Sequence, residues 1–261
     1  MNLCIDVGNS QLHGAVYEND KDLVMQIRKE SSYRVSSDEM GLFLVSALRE
    51  KGIDAKQIRR IGVSCVVPEE LFTLKMACRE YFNTEPLFLE SGVKTRLKIK
   101  TRNPLEVGAD RIANAIAVTE LYFDQNVVVV DFGTAITLDA VSEEKEYLGG
   151  SICAGLGLAM EALGTKTAKL PHVEIVNAEK ALGKSSIESI QGGLYFGYLG
   201  LVKELVRRIG EEAFGKKRYR IVATGGYSLL YRDEKLFDDI IPDLVLQGVN
   251  KMLELNPIDK N

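Results

Sequence analysis

Hydrophobic and polar positions alternate along this chain in short blocks, and two of those blocks share one frame. Residues 127–141 read VVVVDFGTAITLDAV, where four valines suit a strand buried on both faces. Alternation resumes through Ile136, Leu138 and Ala140, with Asp131, Gly133 and Thr134 standing between the two apolar runs. That order predicts a β-hairpin with a polar tip that other groups can approach closely. Residues 3–17 (LCIDVGNSQLHGAVY) repeat the frame with Asp6, Gly8 and Asn9 at the tip. The shared D-x-G-[NT] pattern returns about half a chain later and reads as the trace of two related halves facing each other.

The remaining pattern fills in around the hairpins. Residues 18–22 form a polar turn and 23–29 a third strand. Ser36 and Glu39 make a capping box for a helix that Gly52 ends. A strand over 58–67 runs into Pro68, which opens a helix to Phe82, and 86–90 and 97–101 read as strands. Asn103-Pro104 breaks the chain before a helix over 105–122 at the seam between the halves. The second half adds a strand over 147–151, a helix over 155–163, and a long helix from the capping pair Ser185/Glu188 to about residue 208. A buried strand over 219–222 then meets Thr224-Gly225-Gly226 and a further helix, and the chain closes on a helix over 244–255. The expectation is α/β: mixed sheets flanked by helices, one domain over 1–118 and a second over 119–261, with the last helix apolar enough to pack back on the first.

Totals narrow the function classes. The chain has 261 residues, 46% apolar and 27% charged, with a net charge of −4, which suits a soluble globular protein and argues against a nucleic-acid surface. Four cysteines form no C-x-x-C pair and suggest buried reduced thiols in a cytoplasmic protein. Two histidines far apart disfavour a histidine metal site or a Ser-His-Asp triad. No apolar run approaches the ~20 residues of a membrane span, and Met1 leads into a strand rather than a signal peptide.

Each polar tip has two readings. Glycine lets backbone amides approach a phosphate, and the aspartate can hold a cation or its water. Asp, Gly, Asn and Ser are also ordinary turn formers, so one tip alone favours the plain hairpin. Two tips in one frame favour phosphate. Thr224-Gly225-Gly226 suits a base or ribose lying over bare backbone, although strand–Gly-Gly–helix turns are common. Gly108-Ala109-Asp110-Arg111 sets an acid beside a base. A carboxylate there can take the proton of an attacking hydroxyl, and an arginine can hold a substrate carboxylate bidentately. The plain alternative is a first-turn aspartate favoured by the helix dipole, followed by a surface arginine. Asp131-Phe132-Gly133 spells a protein-kinase signature without its companion loops, and Gly183-Lys184-Ser185 lacks the first glycine of a P-loop.

Two phosphate-type hairpins and a late Gly-Gly loop resemble the acetate and sugar kinase, heat-shock chaperone and actin superfamily. Within it the chain is similar, over nearly its whole length, to the type III pantothenate kinases. The matching segments are Asp6-Val7-Gly8-Asn9-Ser10, Ser64-Cys65-Val66-Val67-Pro68, N-P-x-x-V-G-A-D-R over 103–111, Asp131-Phe132-Gly133-Thr134-Ala135, Tyr147-Leu148-Gly149-Gly150 and Ala223-Thr224-Gly225-Gly226. The resemblance implies two RNase H-like domains of the actin-like ATPase superfamily with the active site in the cleft between them, and a homodimer. It implies phosphorylation of pantothenate by ATP, the first step of coenzyme A synthesis. Asp110 would be the general base. Thr101, Gly108, Ala109, Asp110, Arg111 and Ser186 would hold pantothenate. Asp6, Val7, Gly8, Asn9, Ser10, Gln11, Leu12, His13, Thr134, Gly225 and Gly226 would hold ATP. Asp6 would stand near Mg²⁺, and Asp131 would ligate K⁺ or NH₄⁺. The chain departs from the family where Thr101 replaces a frequent tyrosine, Ala154 a proline, Ile136 a threonine and Ser186 a threonine. A kinase for another hydroxy acid or sugar, or a catalytically weak regulatory relative that binds ATP, are the alternatives.

Overall fold

The computed structural model describes residues 1–18, 22–30 and 35–257. The polar turn expected over 18–22 lies mostly outside them. The chain forms two compact units: Met1–Leu97 with Asn103–Ala117 and Leu244–Asn261, and Lys98–Arg102 with Val118–Asp243.

The first unit is built on β1 (Asn2–Val7), β2 (Gln11–Glu18), β3 (Asp22–Glu30), β4 (Arg60–Cys65) and β5 (Leu87–Phe88), in the order β3-β2-β1-β4-β5. β1 runs antiparallel to β2 and parallel to β4. Its odd positions Leu3, Ile5 and Val7 enter a core with Met40, Leu44 and Leu48 of α1 (Ser37–Glu50) and Leu74, Ala77 and Cys78 of α2 (Glu70–Phe82). The expected capping box starts α1: Ser36 Oγ accepts the Glu39 N–H while Glu39 accepts the Ser36 N–H. The even positions face the other way. Asn2 donates to Asn250 Oδ1 at 2.9 Å, which seats α6 (Leu244–Leu255) on the opposite sheet face. A Cβ on Gly62 would lie 2.8 Å from Val249, so the bare strand lets α6 approach.

The second unit repeats this plan. β7 (Asn126–Phe132), β8 (Ala135–Val141), β9 (Glu146–Ala154), β10 (Tyr219–Thr224) and β11 (Asp239–Ile240) run in the order β11-β10-β7-β8-β9, the same connectivity as the first sheet. An added edge strand, β6 (Lys98–Ile99), pairs with β9. The hairpin turn spans four residues between Val7 and Leu12 and three between Phe132 and Ile136. With that difference allowed for, the bulge between Val16 and Tyr17 matches the one between Ala140 and Val141. Val128, Val130 and Phe132 pack on α5 (Ser186–Phe214), a helix that outruns its expected end. α4 (Leu156–Lys166) precedes it.

Four expectations need correction. The helix expected over 105–122 is instead a 3₁₀ turn, Pro104–Glu106, followed by α3 (Ala109–Leu121), because Val107 adopts extended backbone between them. The helix expected after Gly226 is a single 3₁₀ turn, Ser228–Tyr231. The capping pair before α5 is displaced: Ser185 Oγ accepts the Glu188 N–H, but Glu188 accepts from Lys184 rather than from Ser185. The strands expected over 86–90 and 97–101 each pair over two residues only.

Candidate functional site

In the first unit the singled-out residues meet at one end of the sheet. Asp6 is half-buried near the end of β1, and strand alternation points it away from the α1/α2 core. Ser64, aligned with it on β4, donates from Oγ to Asp6 Oδ1 at 2.8 Å. The turn beyond leaves Gly8 half-buried and Asn9, Ser10 and Gln11 exposed, and Gly8 N–H closes it on the Gln11 carbonyl at 3.0 Å. Leu12 is buried in the α1/α2 core, while His13 pairs opposite Asp6 across the hairpin.

The link from this hairpin to Asp110 is Val66. Its N–H donates to the Val7 carbonyl at 3.1 Å, and its side chain lies 3.6 Å from where a Cβ on Gly108 would stand. Asp110 occupies the first turn of α3, and its Oδ1 accepts the Arg111 N–H at 2.7 Å. A Cβ on Gly108 would come within 2.5 Å of that oxygen, so glycine there keeps room for the carboxylate. The extended Val107 matters for chemistry. It moves the helix start to Ala109, so the positive N-terminal end of α3, which favours an anion, stands at Asp110. Ala109, Asp110 and Arg111 are all half-buried.

Cys65 marks how acidic this end is. Burial first, then the Asp6, Glu70 and Glu69 carboxylates, hold its thiol up at about 11 against the lowering effect of its hydrogen bond to the Val67 carbonyl. Glu70 Oε2 is enclosed without a hydrogen-bond partner.

The second unit carries the matching tip. Asp131 and Thr134 are half-buried, and Gly133 N–H closes the turn on the Ala135 carbonyl at 3.2 Å. Two loops press on it. Gly155 N–H donates to the Thr134 carbonyl at 3.0 Å, and a Cβ on Gly155 would fall 2.3 Å from that oxygen. Gly225 takes φ +87°, and a Cβ there would lie 2.4 Å from Asp131 Oδ1. Gly226 beside it is exposed, with nothing within 4 Å of its Cβ position, which leaves bare backbone open to a flat ligand. Thr101 is half-buried beside β9; its Oγ1 is enclosed with no hydrogen-bond partner. Ser186, the first residue of α5, is exposed and lines a groove of about 820 Å³ with Leu163, Leu170, Ile190 and Leu194.

The structure therefore gathers Asp6–His13 with Gly108–Arg111 in one unit, and Thr101, Asp131, Thr134, Ser186, Gly225 and Gly226 in the other. Ser64, part of a matching segment to which the sequence assigns no role, is a candidate site residue through its bond to Asp6. Its signal was a hydroxyl inside the buried run before Cys65-Val66-Val67. Ile136, where the resemblance leads one to expect threonine, is fully buried against α5, so its side chain serves the core rather than the tip. Among the described residues no three His, Cys, Asp or Glu side chains gather into a metal cage, and no helix is long and apolar enough to cross a membrane.

Comparison with known proteins agrees across its whole length. The model of the type III pantothenate kinase family matches residues 2–208. A type III pantothenate kinase of Legionella pneumophila (strain Corby) is 50% identical over 257 residues, covering 98% of this chain and 99% of that one. Type III pantothenate kinase 1 of Francisella tularensis subsp. holarctica (strain OSU18) is 43% identical over 256 residues, covering 98% and 100%. Among solved structures, a Sinorhizobium meliloti protein assigned as a 2-dehydro-3-deoxygalactonokinase superposes with a TM-score of 0.64 at 11% identity, covering 100% and 99%, a likeness of fold alone.

Proposed function

This chain belongs to the type III pantothenate kinase family, with the two-domain fold of the actin-like ATPases, and we propose on that footing that it phosphorylates pantothenate with ATP. The product is 4′-phosphopantothenate, the first intermediate toward coenzyme A. One observation carries the assignment of roles: Asp110 stands in the first turn of α3 beside Gly108, tied through Val66 to the hairpin that bears Asp6.

Asp110 takes the proton of the primary hydroxyl as that oxygen attacks the γ-phosphorus in line, while ADP leaves. Arg111 offers the planar fork that a carboxylate accepts, and so orients the acid end of pantothenate. Thr101 supplies an enclosed hydroxyl whose hydrogen bond the substrate would complete, and Ser186 a second hydroxyl. The turns after Asp6 and Asp131 present backbone N–H groups to the phosphates, and Gly225-Gly226 leaves the surface on which the adenosine would lie.

A divalent ion bound with ATP neutralises charge on the transferring phosphoryl group. Mg²⁺ keeps waters and phosphate oxygens and takes one or two protein carboxylates. Asp6, oriented by Ser64, would be that carboxylate. Asp131, whose Oδ1 is crowded by the Gly225 backbone, would hold K⁺ or NH₄⁺. We read the protein as a cytoplasmic homodimer, an assembly that would cover some of its exposed apolar side chains, such as Ile152, Leu182 and Ile187. Sedimentation should give about twice the 28.9 kDa chain mass.

The test is ADP release with ATP and Mg²⁺ against a panel of pantothenate, simple sugars and short hydroxy acids, each with and without K⁺. Turnover confined to pantothenate and stimulated by K⁺ is expected. Turnover with a sugar instead would transfer the assignment to another kinase of the same fold.

A further inference from the structure

Behind the Asp131 tip lies a buried aromatic stack that the reaction itself does not use. Phe132 sits between Asp131 and Gly133 and is 1% exposed. Its ring lies 5.0 Å from that of Tyr231, which is fully buried, and 5.8 Å edge-on from that of Phe237. Tyr231 in turn stacks at 5.1 Å and 17° on Tyr195 of α5, and its hydroxyl donates to the Tyr195 carbonyl at 3.4 Å. Tyr195 is anchored by donating its own hydroxyl to Glu234 Oε1 at 3.0 Å.

Tyr231 closes the 3₁₀ turn that follows Gly225-Gly226, so it belongs to the same short segment as that loop. The segment is tied to the tip by backbone as well. Tyr227 N–H donates to the Phe132 carbonyl at 3.2 Å, and Ser228 Oγ donates to the Gly225 carbonyl at 2.7 Å. A Cβ on Gly225 would lie 2.7 Å from the Phe132 backbone nitrogen and carbonyl carbon, so the two strands of chain leave no slack between them. Two loops far apart in sequence are thus registered on each other by one buried ring seated on a long helix.

We propose that Tyr231 is a positioning residue for nucleotide: its ring sets the distance between the Asp131–Thr134 turn and the Gly225-Gly226 loop. The inference rests on the reading above, that these two loops hold ATP. An aromatic ring does this well because stacked and edge-on contacts fix orientation as well as separation. A leucine fills much of the volume and restores neither contact.

The test compares Tyr231→Phe, which keeps the ring, with Tyr231→Leu, which removes it. MgATP affinity is measured by titration calorimetry without pantothenate, and steady-state kinetics are measured for both substrates. Tyr231→Leu should weaken MgATP binding and raise the KM for ATP about tenfold, with the KM for pantothenate within about twofold. Tyr231→Phe should match the unmodified protein in all three. A purely structural role would instead lower the active fraction, and with it kcat, and leave both KM values alone; that outcome, or an unchanged ATP affinity, overturns the proposal. If Tyr231→Leu does not fold, Phe237→Leu, at a partly buried position, takes its place: weaker MgATP binding supports the proposal and unchanged binding overturns it. Unmodified protein that binds no MgATP would overturn the nucleotide reading itself, whereas equal binding by unmodified and Tyr231→Leu protein would overturn only the positioning role.

Discussion

Two side chains in this protein show how much a single hydrogen bond can decide. Ser64 orients Asp6 from a neighbouring strand, so Ser64→Ala should leave the fold intact yet loosen the carboxylate proposed to face the metal–nucleotide complex. The expected result is a severalfold rise in the KM for MgATP with the KM for pantothenate unchanged; equal rises in both would argue against the role. Tyr147 is fully buried and donates to Asp139, itself 1% exposed, at 2.5 Å. Removing the hydroxyl in Tyr147→Phe takes a donor from a buried carboxylate and should cost about 1.5–3 kcal/mol in urea unfolding. At this scale the sequence spoke clearly about the tips and poorly about their support. Asp6 and Asp131 stand in a local frame of a few residues that alternation and glycine make visible. Ser64 reaches Asp6 from 58 positions away, and nothing local announces a contact of that range.

At the scale of elements, helices were read best where a cap fixed their start. The Ser36/Glu39 box begins α1 as expected, and Ser36→Ala should lower stability by about 1 kcal/mol through loss of that cap. The start of α3 was misplaced because Leu105 and the apolar positions after it keep helical spacing, while Val107 turns the backbone to extended geometry. That displacement puts Asp110 in a first turn instead of a helix interior, and the proposed chemistry depends on it. The two-residue strand β6 was also illegible in its role: so short a pairing carries no period, and its partner β9 lies far along the chain. α6 was legible as a helix, but its close contact with α3 was not. A Cβ on Gly248 would stand 1.9 Å from the Ala113 carbonyl oxygen of α3. Gly248→Ala should therefore push the two helices apart and cost about 1–3 kcal/mol, the usual range for overpacking; a thermally neutral variant would contradict that packing.

Across the whole molecule, the D-x-G echo corresponds to a repeated topology, down to the matching bulge in each hairpin pair. The repeat explains why phosphate-type turns occur in both units while Gly108–Arg111 has no counterpart in the second. The interior also predicts a pH response. Burial holds the Cys78 thiol at about 12 in the folded chain against an ordinary value of 9, and Cys65 at about 11. The unfolded chain therefore loses these protons first, so stability is unaffected below pH 9 and falls as pH rises from there toward 12. Urea midpoints should stay level from pH 7 to about 8.5 and then decline, and Cys78→Ala should decline less steeply.

The central claim is that Asp110 removes a proton from pantothenate's primary hydroxyl during transfer from ATP. The most direct measurement is mass-spectrometric detection of phosphopantothenate from ATP, Mg²⁺, K⁺ and pantothenate, run in parallel on unmodified and Asp110→Asn protein of matched thermal stability. Product is expected from the first and a loss of about 10²–10⁴-fold in rate from the second, the usual worth of a positioned base. Product formed at similar rates by both proteins would contradict it.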